Sequence, residues 1–382
     1  MAKKNHIPEV DIVVDEKAGV IREVEPEVKL RSKKGHERRV NASIYTLLIV
    51  MSVVWLCPFV FLVLQSFRGE SGGQVAYVIP KQWTLDNYRF LFEGVAFSLK
   101  ALVKDATAIV LTVITNAAGL LGIAAMLKRK PKNPFEEKTS NVKSALLVLG
   151  AMLLVNFMRC VDSSNCDFVR WFMNTLTIAL FCAVIQTIMV LSVSYTLSRM
   201  RFKGRKLLMN VVLVLGMFPG FLTMIVLYYL LKMTGLTQAG AVPGLILISC
   251  ASSGMGYYIS KGFFDTIPKS LDESARIDGA TRFQVFLKII MPMAKPIVIY
   301  TILMAFMGPW GDYVFASYVA FGHKASYNVA VGLYRWVNTN DYQGFFTRFC
   351  AGGVLVAVPV TILYMCLQRY YVEGVTGGAV KG

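Results

Sequence analysis

The residues that could do chemistry in this chain are few and poorly placed for catalysis. Its three histidines are His6, His36 and His323, all outside the middle of any long apolar run. No Cys/His set has metal-ligand spacing, and no G-x-x-x-x-G-K-[ST] phosphate loop occurs. A membrane-embedded enzyme would need a paired acid and base, a Ser/His pair or a metal cluster within the apolar runs, and none is written there. One carboxylate, Asp312, falls inside an apolar run, where an ionisable group is costly and functional by default. It follows Pro309, Trp310 and Gly311 near the end of that run, so a structural hydrogen bond or a wet cavity suits it equally. The densest constellation is Phe263 to Pro296, FFDTIPKSLDESARIDGATRFQVFLKIIMPMAKP. Ser270-Leu271-Asp272-Glu273 and Thr281-Arg282-Phe283-Gln284 both have capping-box spacing. Leu271 and Ala275 share a face, and Phe283, Phe286, Leu287 and Ile290 form an i, i+3, i+4, i+7 stripe. Gly279 lies between the two patterns, where a left-handed backbone is cheap only for glycine, and Pro292 bends or ends the second. The spacing predicts a helix–turn–helix whose chemistry is recognition. It either docks on a partner or lies on its own membrane.

The elements that position this loop follow from composition. The chain has 382 residues, 55% hydrophobic and 16% charged, with a mean hydropathy of +0.54. A soluble domain is less apolar and more charged. Eight segments are candidates to cross roughly 30 Å of hydrocarbon: 44–66, 106–127, 144–159, 172–197, 207–231, 242–260, 297–319 and 349–367. The pair 106–127 and 144–159 either spans twice or is re-entrant or interfacial, and parity leaves the later orientation unchanged. The fold class is therefore all-α, a polytopic membrane helical bundle.

Charge orients it. Lys+Arg 40 against Asp+Glu 23 leaves +17. The bases cluster before 44, at 128–138, at 199–206 and at 269–295, whereas 161–169 has no base and 232–241 has only Lys232. The rich loops fall on one side, which the positive-inside rule makes cytoplasmic, with both termini. This accounts for much of the basic balance without nucleic acid, and no nucleic-acid-binding motif is present. Residues 1–43 read as a flexible cytoplasmic tail, helical where it meets the bilayer, because they cannot bury enough apolar surface to fold alone. No secretory signal is expected, since the first apolar run, Ile44 to Ser66, is too long and too late. The segment 67–105 is extracytoplasmic. Pro58, Pro219-Gly220, Pro243-Gly244 and Pro309 punctuate the spans as kinks or as hinges beside a path. Cys160 and Cys166 flank a short outer loop, either as a disulfide or as two unrelated thiols.

Glu273-Ser274-Ala275, Gly279 and Ile289-Ile290-Met291-Pro292 resemble the EAA loop of ABC importer permeases, with Ser274 and Met291 as the two departures. Asp278-Gly279-Ala280 matches the D-G-A of the carbohydrate-uptake branch. Trp83 to Tyr88, Arg201 to Arg205, Trp310-Gly311-Asp312 and the end from Gln368 to Gly382 extend the likeness to the shorter permease subunits of maltose and maltodextrin importers. It covers the first span and 170–382, and leaves out the tail and 106–165, an extra helical pair outside a six-helix core. The resemblance implies a type I ABC importer permease fold, here with eight helices. It implies half of a heterodimeric pore in the bacterial inner or plasma membrane, paired with a second, MalF-like permease subunit. Further implied partners are an ATPase subunit dimer, an extracytoplasmic sugar-binding protein and membrane lipid. No cofactor is expected on this chain, with ATP and Mg on the ATPase.

In the family, this loop inserts into the ATPase as a coupling helix. The resemblance carries that role to Leu271, Glu273, Ser274, Ala275, Asp278, Gly279, Ala280, Phe283, Phe286, Ile289 and Pro292, with Ile290 as a further apolar anchor. Gly377, Gly378 and Lys381 in the small-residue tail take the role of a contact with the ATPase, and a disordered end is the plain alternative. Tyr257, Tyr258, Trp310 and Tyr313 could stack on sugar rings, but no substrate residue is assigned. Competing readings are a permease for another sugar or a glycerol-phosphate-type substrate, and an ion-coupled secondary transporter. The last would need more intramembrane charge than Asp312.

Overall fold

The computed structural model of the chain describes residues 12–14, 21–23, 30–69, 77–99, 103, 106–127, 145–146, 148–150, 152–153, 156–157, 160–163, 166–251, 254–338 and 345–379. Residues 1–61 and 62–382 form two units. In the first, strands β1 (Ile12–Val14) and β2 (Ile21–Glu23) pair antiparallel. Their Ile and Val residues favour the extended backbone, and the reading of 1–43 as a tail did not foresee this hairpin. Helix α1 (Leu30–Ser66) starts well ahead of its apolar run, as expected for a tail that turns helical near the bilayer. Its side chains from Ile44 to Val60 are exposed on every face. A helix apolar all round suits lipid and not water.

The second unit contains α2 (Asp86–Leu91), β3 (Val95–Phe97), α3 (Ala106–Leu127), β4 (Val161–Ser163), α4 (Phe168–Arg199), α5 (Arg205–Gly216), α6 (Gly220–Met233), α7 (Ala241–Ala251), α8 (Gly254–Thr266), α9 (Ser270–Ile277), α10 (Arg282–Met293), α11 (Lys295–Gly311), α12 (Val314–Val319), α13 (Val329–Asn338) and α14 (Phe346–Ala379). Helix α4 is the axis of this unit and packs against α7, α8, α11 and α13. The main core gathers Phe168, Trp171, Ile178 and Cys182 of α4 with Leu245 of α7, Phe306 and Trp310 of α11, and Val329, Leu333 and Trp336 of α13. A polar row on α4 holds the segment before α13. Trp171 Nε1 donates to the Lys324 carbonyl at 3.0 Å, Asn174 Nδ2 to Ala325 and Tyr327 at 2.9 Å, and the Val329 N–H to Thr175 Oγ1 at 2.8 Å. Non-helical backbone buried in a bundle needs such partners.

Six of the eight expected spans have counterparts, some of them broken, and 106–127 and 144–159 are not among these. Among the described residues four helices are long and apolar enough to cross a membrane, and up to six spans result if each bent pair counts as one. The segment 207–231 is not one straight helix: α5 and α6 meet at 102°. Pro219 has no N–H to continue α5 and disfavours helical backbone at Phe218. The segment 297–319 is interrupted too. α11 ends at Gly311, Asp312 is extended, and α12 begins at Val314. Asp312 therefore acts structurally: its carboxylate accepts the N–H groups of Phe315 and Ala316, and its carbonyl accepts Asn328 Nδ2 at 2.6 Å.

The segment 106–127 is a single helix, whereas seven of the sixteen residues of 144–159 lie outside the described residues. Asn156 Nδ2 donates to Asn116 Oδ1 at 2.9 Å, so the two halves of the extra pair touch. β3 and β4 pair antiparallel, and Ser98 N–H donates to the Cys160 carbonyl at 2.8 Å. The excursion between them thus leaves and returns at one point. Cys160 and Cys166, at the foot of this ribbon, are buried thiols and not a disulfide.

Gly332 marks the tightest approach in the core. A Cβ there would lie 1.9 Å from Trp171 Cε3, and that ring is held by its bond to Lys324. Gly332→Ala is expected to cost about 1–3 kcal/mol by overpacking. Gly262→Ala, with nothing within 4 Å, should be neutral or stabilising by up to ~1 kcal/mol. Thermal unfolding of the two variants in detergent checks the contrast.

Candidate coupling surface

The loop 263–296 folds as the spacing predicts, with one cap misplaced. Helix α9 starts from Lys269, which is itself helical, so Ser270 does not cap it. Asp272 and Glu273 N–H groups donate to the Lys269 carbonyl at 3.0 and 3.1 Å, one residue earlier than a Ser270 cap would allow. The second box is complete: Thr281 N–H donates to Gln284 Oε1 at 2.8 Å, and Gln284 N–H to Thr281 Oγ1 at 3.3 Å. Between them Gly279 takes φ +84° with open space around its Cα. Backbone conformation, not crowding, requires glycine there. Residues Phe286–Ile290 form a π-turn, and the Met291 N–H reaches back to the Phe286 carbonyl. The wide turn sits just before Pro292, which has no N–H to give.

This loop rests on a second apolar cluster. Leu191 and Tyr195 of α4, Phe264 of α8 and Ile267 are buried with Ala275, Val285, Ile290 and Ala294. The Phe286 ring lies 4.7 Å from that of Tyr195. The predicted contact residues therefore divide. Ala275 and Ile290 point into the permease's own core, and Leu271, Ala280, Phe286 and Ile289 are half-buried against it. Glu273, Ser274, Asp278, Gly279, Phe283 and Pro292 are exposed, as is Ile277, which sequence reasoning did not single out. A stripe at helical spacing cannot say which apolar residues face inward. Gly377 and Gly378 fall within α14, whose backbone is helical to Ala379, where a flexible tail was expected. Lys381 lies outside the described residues.

Polar rungs tie the loop to α4 through α8. Ser194 Oγ donates to the Tyr257 carbonyl at 3.1 Å, and Ser198 Oγ to Asp265 Oδ1 at 2.5 Å. Asp265 also pairs with Lys261. Arg199 Nη2 donates to the Ile267 carbonyl at 2.7 Å, and its Nε lies 3.1 Å from Asp272 Oδ2. The side chains of this last pair are 5% and 16% exposed. Burial pushes the Asp272 carboxyl above its usual range, and the Arg199 guanidinium pulls it back. Arg199 was legible only as one of several loop bases, and Asp272 only as a position within a capping-box spacing. Their pairing joins positions far apart in sequence. A smaller cavity of about 250 Å³ lies deeper in the bundle, lined in part by Gln186, Ser249, Asp312 and Asn328.

Residues 188–377, which contain this entire loop, match the family described as binding-protein-dependent transport system inner membrane component. The galactooligosaccharides transport system permease protein GanQ of Bacillus subtilis (strain 168) is 37% identical over 217 residues, 56% of this chain and 75% of that protein. The chain belongs to this permease family. The maltodextrin transport system permease protein MdxG of the same organism is 34% identical over 233 residues, 61% of this chain and 82% of that one. MalD of Streptococcus pneumoniae (strain ATCC BAA-255 / R6), a maltodextrin transport system permease protein, is 38% identical over 214 residues, 56% and 75%. A solved bacterial ABC transporter involved in the import of the acidic polysaccharide alginate shares the fold. Its TM-score is 0.58 at 17% identity, covering 88% of this chain and 98% of that one. The permease is thus a multi-pass membrane protein with the type I importer fold, and its 98–160 excursion falls outside the family match.

Two changes test the docking of the loop in this permease. Arg199→Ala leaves the Asp272 carboxylate buried without its partner and should loosen α9 by about 3–5 kcal/mol. Thr281→Ala should cost about 1 kcal/mol through the lost cap. Limited trypsin cleavage at Arg276 and Arg282, compared with wild type, reads the loosening.

Proposed function

We propose that this chain is one of two permease subunits of an ATP-driven importer for a maltodextrin-like oligosaccharide, and that the loop 263–296 couples it to a separate ATPase. The carrying observation is the outward row Glu273, Ser274, Ile277, Asp278 and Phe283 on a helix pair whose inner face is fixed to α4. An acidic, partly apolar ridge on a rigid base suits insertion into a groove of a partner. The names of the relatives, galactooligosaccharides for one and maltodextrin for two, support a hydroxyl-rich neutral oligosaccharide as substrate. The bases flanking the loop support a cytoplasmic position for it, and for both termini, by the positive-inside rule. A second, MalF-like permease completes the pore, an extracytoplasmic protein delivers the sugar, and ATP with Mg binds the ATPase dimer. Gly377, Gly378 and Lys381 lie along the chain end that reaches the same dimer.

The rungs at Ser194, Ser198 and Arg199 supply the transmission. A displacement of α9 by the ATPase pulls on Asp272, through it on Arg199, and so on the end of the helix around which the unit is packed. The test is co-purification of the ATPase with tagged wild type, Glu273→Lys, Gly279→Asp and Ile277→Glu. Each variant should retain the ATPase roughly 10-fold less well or lose its stimulation by binding protein and maltodextrin. Wild type that purifies with no ATPase, and transports along an ion gradient, would sink the proposal.

A further inference from the structure

A cleft of about 460 Å³ lies between the end of α4, the 200–205 connection and helices α9 and α10. Six cations line it: Arg199, Arg201, Arg205, Lys269, Arg276 and Arg282. The acids on its wall, among the described residues, are Asp272 and Glu273. Asp272 is already engaged by Arg199. The ion pair leaves Arg199 Nη1 buried with no hydrogen-bond acceptor. A buried guanidinium N–H without an acceptor is costly and calls for an anion. The coupling ridge meets this cleft only at Glu273: Ser274, Ile277, Asp278 and Phe283 are not part of its wall.

We propose that this cleft binds a phosphate group. Guanidinium forks match phosphate oxygens two at a time, and five of the six cations are arginines, from α4, the 200–205 connection, α9 and α10, the sixth being Lys269 just before α9. Arg199 lines the cleft, and a phosphate oxygen that reached its unpartnered Nη1 would complete its hydrogen bonding. The negative pole of the α4 C-terminus and the two acids oppose an anion, but the cations outnumber the acids. Two sources carry the same chemistry. One is an anionic phospholipid headgroup, for which exposed Phe202, Leu207 and Leu208 beside the cleft offer an apolar flank. The other is free phosphate. In either case the bound group bridges α4 to α9 and α10, and so stiffens the link through which the coupling loop moves.

The experiment uses the full chain purified with its partner subunits, as wild type, Arg201→Gln/Arg276→Gln and the exposed control Lys288→Gln, which is not in the cleft wall. One arm measures phosphatidylglycerol retained from mixed phosphatidylcholine nanodiscs by native mass spectrometry. The other measures radiolabelled inorganic phosphate bound in phosphatidylcholine alone. Wild type should take up at least one probe, the double variant about 25-fold more weakly at about fivefold per charge, and the control within about twofold of wild type. Lipid uptake alone assigns the headgroup, phosphate uptake alone assigns the free ion, and both outcomes support the site. No uptake of either, or equal uptake by wild type and double variant, overturns it. So does a cross-link from Arg201→Cys to an acidic segment of the ATPase, which would make the cleft a protein interface. If the double variant fails to assemble, a salt titration of wild type decides: uptake must weaken as salt rises, and salt-independent uptake overturns the site. ATPase co-purification is read separately, so failure of the phosphate site and failure of the coupling reading are distinguishable.

Discussion

The buried ion pair between Arg199 and Asp272 is the constraint on which the cytoplasmic end of this molecule depends. Arg199 is the last residue of α4, and its guanidinium meets both the Ile267 carbonyl and the Asp272 carboxylate. The connection after α8 and helix α9 are thereby fixed to one planar group. Removing either partner would strand a charge away from water, so the arrangement holds only as a set. The apolar contacts around it do the rest. Tyr195 packs on Phe286 and Phe264, and Ala275 is small enough for α9 to lie close. The result is a short helix pair with a fixed back and an open front.

The same economy governs the bundle interior. Breaks in the helices occur where polar partners are available to receive the freed backbone. The turn at Asp312 is closed by its own carboxylate and by Asn328, and the segment 324–329 is held by Trp171, Asn174 and Thr175 of α4. The sharp bend at Pro219 has no such cover from the main core: α5 has no buried residue. Its exposed apolar side chains suit lipid.

The excursion between β3 and β4 adds material without disturbing this frame. Its two ends meet in one antiparallel ribbon and its halves meet through Asn116 and Asn156. The ends of the excursion rest on the frame: Val95 packs on the main core and β4 against α4.

Much of this was legible in the chain itself. Composition and charge placement determined a membrane bundle, because hydrocarbon admits few polar groups and the bases must stay in water. The spaced Gly279 and Pro292 determined the helix–turn–helix shape of the loop, since a left-handed turn and a helix stop each demand one residue type. The Thr281–Gln284 cap was local and so was readable; the Ser270 cap failed because the chain had already turned helical at Lys269. What only the tertiary structure decided is which face of the loop is which. Ala275 and Ile290 turned inward while Ile277 and Phe283 stayed outward, because the complementary surface comes from Leu191 and Tyr195, which lie far away in sequence. The partner of Arg199 was undecidable for the same reason. A periodic stripe records that a face is apolar, but what covers it depends on contacts between distant segments.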